Sequence, residues 1–184
     1  MTTSLEHIEQ LLSDQGAQPP IERWDPPLSG DIDIVIDEQG RWFHEGGEIE
    51  RLALVKLFAS ILRCEADGQH YLVTPVEKWR IQVEDTPLLI VDFEETVRDG
   101  RPALLLEQNL GRRQWLDAEH PLVLEVYRGL EIPRQLLSRG LSARLNRSTY
   151  YQLVERAREA PLADGRPGLV LESCGDVYPL GRLG

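Results

Sequence analysis

Three groups of residues have types and spacings that suit the binding of an anion. Arg51 falls, at about 100° per residue, on the same helical stripe as Val55, Phe58 and Leu62, in the first turn of a segment that reads as a helix over 49–63. A charge on such an apolar stripe needs a partner, because burying it alone is strongly unfavourable. Either a carboxylate such as Glu48 or Asp31 supplies that partner, or a ligand anion does, helped by the open N–H groups of the helix start. The second group lies in the run LVTPVEK at 72–78. Strand alternation puts Thr74 and Lys78 on one face if Pro75 leaves the register intact, and a hydroxyl beside a cation at a sheet end suits a phosphate. An ordinary surface lysine is the plainer alternative. In the third group, Arg144 stands on the polar side of an alternating run, Asn146 or Ser148 caps the helix that follows, and Arg147 and Tyr150 open it. Two guanidiniums and an aromatic ring at a helix N-terminus suit a nucleotide; they suit a structural corner as well.

Other chemistries lack their residues. The chain has neither GxxxxGK[ST] nor GxGxxG, and neither HExxH nor GxSxG. The four histidines, His7, His44, His70 and His120, show no ligand spacing, and no cofactor is expected. Asp31, Asp33 and Asp37 begin like a calcium loop, but Trp42 stands at the twelfth position, where the loop needs Glu. Asp92 and Glu94 share one strand face and read as a solvated strand end before they read as an acid–base pair.

The elements that must position these groups follow from periodicity. Leu5, Ile8, Leu11 and Leu12 stripe a short N-terminal helix, with Thr3 and Glu6 at capping-box spacing and Gly16 as its stop. Two Pro-Pro pairs between Pro19 and Pro27 make a stiff lead-in. Ile32, Ile34 and Ile36 alternate as a half-buried strand, and Arg41–His44 returns beside it. The helix over 49–63 is followed by a hairpin from Tyr71 to Val83, then by strands at LLIVDF, ALLLEQ and LVLEVY. A second helix over 148–159 precedes a last hairpin, GLVLESCGDVYPL. One correspondence links the two halves: Leu54-Val55, Ala66-Asp67-Gly68 and Leu72-Val73 recur as Leu153-Val154, Ala163-Asp164-Gly165 and Leu169-Val170. The expected architecture is therefore α+β, with two similar domains of antiparallel sheet plus helix arising by internal duplication. The boundaries read as an N-terminal helix over 1–18, a first domain over 19–86 and a second over 87–184.

Composition narrows the partners. The 184 residues are 41% hydrophobic and carry a net charge of −11. Residues 1–98 hold 8 Lys and Arg against 20 Asp and Glu, whereas residues 99–184 hold 12 against 11, and all 12 cations there are Arg. A pI near 4.8 disfavours nucleic acid and anionic lipid as partners. No apolar run is long enough for a membrane span, and the acidic N-terminus lacks the basic region of a signal peptide. Cys64 and Cys174 form no CxxC pair, which fits a reducing, cytoplasmic setting.

Several pieces also keep a common order and spacing: Gly30-Asp31-Ile32 with its strand, Gly47-x-Ile49-x-Arg51 with Leu54-Val55 and Phe58, LVTPVEK at 72–78, and Val83-Glu84-Asp85-x-Pro87. His120-Pro121-Leu122, Arg139-Gly140-Leu141, Ala143-Arg144, Arg147 and Tyr150 with Leu153-Val154 continue the pattern. Over residues 24–155 this resembles an uncharacterised bacterial family known as domain of unknown function twelve eighty-five. The resemblance implies a duplicated core whose second domain is loosely similar to a pleckstrin-homology barrel. It also implies a pocket at the domain interface for a nucleotide-like molecule and a role in bacterial signalling. Carried over, the ligand-binding residues are Arg51, Thr74, Glu77 and Lys78 from the first domain and Arg144, Arg147 and Tyr150 from the second. Gln108-Asn109-Leu110-Gly111-Arg112 departs from the Thr-Asn-Gly-Asp of the family pattern.

The leading expectation is a cytoplasmic, non-enzymatic protein that binds a small anionic ligand. Its rival is a protein-interaction adaptor with no small ligand, recruiting a partner through its acidic first half and an exposed strand edge, a reading that the Pro-rich tether and the N-terminal helix favour. A third reading, a Mg²⁺-dependent hydrolase using Asp31, Asp33 or Glu77, has no recognisable ligand set behind it.

Overall fold

A computed structural model describes residues 5–12 and 19–184. The cap at Thr3 and the stop at Gly16 lie outside the described residues. The chain divides into two units. The first spans Met1–Pro87 together with Arg139–Leu141, and the second spans Leu88–Ser138 and Ser142–Gly184.

Among the described residues, the first unit combines a six-stranded sheet with two α-helices. Its strands are β1 (Gly30–Ile36), β2 (Trp42–His44), β3 (Gly47–Glu48), β4 (Leu62–Cys64), β5 (His70–Val73) and β6 (Lys78–Val83), in the order β3-β2-β1-β6-β5-β4. The alternation of Ile32, Ile34 and Ile36 survives intact, and all three side chains are buried. The sheet is not purely antiparallel: β1 runs parallel to β6. Helix α1 (Leu5–Leu12) buries Ile8 and Leu12 and lies against α2 (Leu52–Ala59), whose Phe58 stacks on Trp42.

Helix α2 is shorter at both ends than its sequence suggests. Arg51 is the N-cap, with an extended ψ of 100°, and Ser60 ends the helix by donating its hydroxyl to the Leu57 carbonyl. Ile61 and Leu62 are buried, as an apolar helix would predict, but Leu62 pairs with Leu72 across β4 and β5. A run that is apolar all round does not distinguish a helix from a helix followed by a core strand.

The second unit has nine strands in two sheets and one helix. The larger sheet holds β7 (Leu88–Arg98), β8 (Arg101–Gln108), β9 (Arg113–Trp115), β10 (Leu122–Tyr127), β11 (Leu130–Leu136) and β12 (Ser142–Leu145), in the order β10-β11-β12-β7-β8-β9. Here too one pair is parallel, β12 with β7. The smaller sheet is β13 (Arg158–Pro161), β14 (Pro167–Ser173) and β15 (Asp176–Arg182). Ile90, Leu104, Leu106, Leu116, Leu171 and Leu180 are buried together in one core drawn from both sheets, and α3 (Arg147–Val154) adds Leu153. Backbone Leu104 N–H donates to the Ser173 hydroxyl at 2.9 Å, stitching β8 to β14.

The recurrence in the sequence has a structural counterpart. Both units contain a helix, a strand, a tight turn and two further antiparallel strands: α2-β4-β5-β6 and α3-β13-β14-β15. The turns agree bond for bond. Gly68 N–H donates to Glu65 O at 2.9 Å and Gly165 N–H to Leu162 O at 2.8 Å. The Asp67 carboxylate accepts from Gln69 N–H at 2.9 Å, and Asp164 from Arg166 N–H at 3.0 Å. Each Asp closes the turn with its side chain, and each Gly supplies the positive φ that follows (78° and 81°).

The stretch Arg139–Leu141 belongs to the first unit and lies against β4, the edge strand of its sheet. Arg139, only 11% exposed at its side chain, donates to Glu22 at 2.6 Å, to the Ser60 carbonyl at 2.6 Å and to the Pro19 carbonyl at 2.9 Å. Gly140 has φ of 70°, and a Cβ there would overlap the Cys64 carbonyl oxygen. Gly140→Ala should therefore cost about 2–4 kcal/mol, since backbone cannot move aside as a side chain can. Gly68→Ala, at a similar φ but in open space, should cost only about 1 kcal/mol. Urea unfolding of the two variants beside the parent measures both; equal losses would refute the overlap argument.

Candidate functional site

The first-unit candidates are already engaged by their own chain. Lys78 opens β6 opposite Val73, and its ammonium bonds Glu65 at 3.0 Å while lying 4.8 Å from the centre of the Tyr71 ring. Arg63 grips the same carboxylate through Nη2 at 2.6 Å and Nε at 3.1 Å, and its Nη1 donates to the Trp24 carbonyl at 2.8 Å. Tyr71 in turn donates its hydroxyl to Asp67 at 2.5 Å. Lys78 and Arg63 thus share one carboxylate, with side chains only 14% and 16% exposed.

Thr74 and Lys78 do not share a strand face. Residues 74–77 form a turn in which the buried Thr74 hydroxyl accepts from Glu77 N–H at 2.9 Å. Pro75 breaks the register, and the hydroxyl is spent on the turn. Glu77 holds the Trp79 indole N–H and the His7 ring, both at 3.1 Å. Arg51 corrects a sequence expectation. It is not on the buried stripe but caps α2 from outside, 60% exposed at its side chain, and pairs with Glu9 of α1 at 2.5 Å. The carboxylate partner is neither Glu48 nor Asp31; Asp31 bonds Arg80 at 2.7 Å.

In the second unit Asn146 is the helix cap, accepting from Thr149 N–H at 2.8 Å. Arg147 is exposed at the first position of α3 and makes no side-chain bond among the described residues. Tyr150 packs against the core and stands edge-on to Tyr151, with ring centres 5.8 Å apart. Arg144 turns toward a different ring. The guanidiniums of Arg128, Arg134 and Arg144 lie 5.2, 5.7 and 6.0 Å from the centre of Tyr127. Register explains the convergence, because Arg134 sits directly opposite Arg144 across β11 and β12, and Tyr127 ends the neighbouring β10. Glu125 of β10 meets Arg134 at 3.3 Å. Sequence reasoning missed Tyr127, Arg128 and Arg134, since nothing local tells which strand an arginine will face.

Among the described residues, no three His, Cys, Asp or Glu side chains stand together as a metal group would require. No described helix is long and apolar enough to cross a membrane.

The Glu65 cluster makes a pH-dependent contribution to stability. Burial pushes the Glu65 carboxyl up, but the hydrogen bonds from Lys78 and Arg63 outweigh it and hold the group below its ordinary value of 4.5. A carboxyl lowered on folding stabilises fully above its unfolded value, and the contribution is lost as pH falls through the folded one. Glu65→Gln should accordingly lower Tm at pH 7, and the gap from the parent should close as pH drops from about 6 to 3. A gap independent of pH would mean that Glu65 contributes packing alone.

With this geometry in hand, comparison with known proteins places the chain. The N-terminal domain of a domain of unknown function, DUF1285, matches residues 19–86, and the C-terminal domain of the same family matches residues 87–180. The crystal structure of a DUF1285 family protein from Silicibacter pomeroyi is 32% identical, with a TM-score of 0.85, over 100% of this chain and 97% of that one. A DUF1285 family protein from Shewanella baltica is 35% identical, with a TM-score of 0.53, over 66% of this chain and 90% of that one. No curated protein matches. Two matched domains in succession, and a structural relative along the whole length, make this chain a member of the DUF1285 family.

Proposed function

We propose that the chain is a non-enzymatic, cytoplasmic binding protein for a small anionic ligand of the nucleotide kind, acting in bacterial signalling. The observation that carries this reading is the convergence of Arg128, Arg134 and Arg144 on the Tyr127 ring. Among the ion pairs described above Glu125 meets only Arg134, at 3.3 Å, and three guanidiniums gathered at one ring give this face an excess of positive charge that suits an anion. Guanidiniums meet phosphate oxygens two at a time, which lysine cannot do, and all cations in residues 99–184 are arginine. Tyr127 offers a flat ring for a base. Arg147, exposed and without a side-chain partner among the described residues, adds a further cation two positions beyond Leu145, the last residue of β12. Both cysteines are free thiols, in keeping with a reducing compartment.

In this reading Lys78 and Thr74 support the first unit, and the arginines of the second do the binding. A specific observation favours the adaptor as the second reading: Val126 and Leu130, at the tip of the β10–β11 hairpin, are 70% and 69% exposed. Apolar residues at a hairpin tip suit a protein partner.

A thermal-shift series against ATP, ADP, cyclic dinucleotides and inorganic phosphate distinguishes the two. A ligand at one hundred times its Kd adds about 2.7 kcal/mol, a rise of a few degrees for a chain of this size. The parent should respond to a nucleotide, and Arg144→Gln and Arg134→Gln should each abolish the response. A flat series at millimolar ligand would sink the nucleotide reading and leave the hairpin tip as the feature to pursue.

A further inference from the structure

A cavity of about 160 Å³ opens in the second unit, away from Tyr127 in sequence and sheet position. Its floor is apolar: Leu104, Val170 and Leu171, all at most 5% exposed. Its rim is charged, with Glu95 and Arg156 on one side and Arg158 and Glu172 on the other. The strands account for this arrangement. Glu95 and Leu104 are cross-strand neighbours on β7 and β8, and Arg158 and Val170 are cross-strand neighbours on β13 and β14. Glu172, two residues beyond Val170, returns to the same face.

The two sides differ in how their charges are met. Arg156 pairs with Glu95 at 3.3 Å, lies 5.3 Å from the centre of the Phe93 ring and donates to the Gln152 carbonyl at 3.0 Å. That side is neutralised internally. Arg158 and Glu172 make no ion pair or side-chain hydrogen bond among the described residues. Diagonal neighbours across a strand pair are about 7–8 Å apart, within reach of two long side chains, yet these two remain separate above the apolar floor.

We propose that this cavity binds a small aliphatic α-amino acid as its zwitterion. The ligand carboxylate meets Arg158, its ammonium meets Glu172, and its side chain covers Leu104 and Val170. A simple anion would face two carboxylates on the rim, and a simple cation would face two guanidiniums. Only a molecule with one charge of each sign answers both unengaged groups. At about 160 Å³ the cavity has room for a small aliphatic side chain above Leu104 and Val170. The site is independent of the Tyr127 cluster, so each proposal stands or falls alone.

NMR titration of the ¹⁵N-labelled full chain tests this, with L-valine as probe and isobutyrate and isobutylamine as its single-charge analogues. At about 10 mM, L-valine should shift the amides of β13 and β14 saturably, and both analogues should bind at least tenfold more weakly. Arg158→Gln and Glu172→Gln, both on exposed side chains, should each weaken L-valine about tenfold with the remaining amide spectrum unchanged, and Arg144→Gln should have no effect. Isobutyrate binding as well as L-valine would make this a plain anion site, and no saturable shift with any probe would make it a wet cavity; either result overturns the proposal.

Discussion

The guanidinium of Arg139 is the interaction on which the first unit most depends. Three of its nitrogens bond three separate places: the Glu22 carboxylate, the end of α2 at Ser60 and the Pro-rich lead-in at Pro19. Buried arginine is tolerable only when its donors are satisfied, and here they are satisfied by backbone as well as by charge. Glu22 responds in kind, its carboxyl held below the ordinary range chiefly by the Arg139 hydrogen bond. The lead-in is also held by burial, since Ile21 is fully buried and Pro19 and Pro26 are buried as well. Its own backbone closes one short turn, with Ile21, Arg23 and Trp24 N–H donating to the Pro19, Pro20 and Ile21 carbonyls, and Arg63 adds side-chain bonds to the Ile21 and Trp24 carbonyls. Two arginines therefore add side-chain ties to a segment that its own turn and Ile21 also hold.

Each unit reuses one local plan, a helix running into a three-stranded meander through an Asp-Gly turn. The plan positions different chemistry in each case. In the first unit the Asp67 turn is tied by Tyr71 into the Glu65–Lys78–Arg63 group, a closed set of mutually satisfied charges. In the second the Asp164 turn is held by Arg182, which also pairs with Glu131. The second half, with arginine as its sole cation, gathers guanidiniums around Tyr127 and sets Arg158 at the rim of the cavity. The first unit closes these charges on one another, and the second leaves Arg147 and Arg158 without a side-chain partner among the described residues.

Much of the scaffold was legible in the sequence, and little of the site was. Period-2 alternation at Ile32, Ile34 and Ile36 and the Ala-Asp-Gly repeats report local geometry, which depends on neighbours in the chain. The ends of α2 and α3 were overrun in both cases for one reason. The residues after each helix enter a strand, and strand pairing such as Leu62 with Leu72 is a contact that periodicity cannot reveal. Pairing partners were equally hidden. Arg51, Glu77 and Lys78 looked like ligands because they are polar residues in notable places, but Glu9, His7 and Glu65 answer them from 13 to 70 positions away. The parallel pairs β1–β6 and β12–β7 are non-local as well and leave no alternating signature of their own.

The placement of Arg139–Leu141 has a consequence for how the molecule is made. A ribosome releases residues 1–87 well before residue 141, so the first unit emerges without three of its own residues. Until then β4 is a bare edge, with the Cys64 carbonyl uncovered and the lead-in held without Arg139. An exposed edge strand invites pairing with another chain. The first half is the strongly acidic one, with a net charge of −12 over residues 1–98. Mutual repulsion between nascent copies then protects an edge that the finished fold protects by contact.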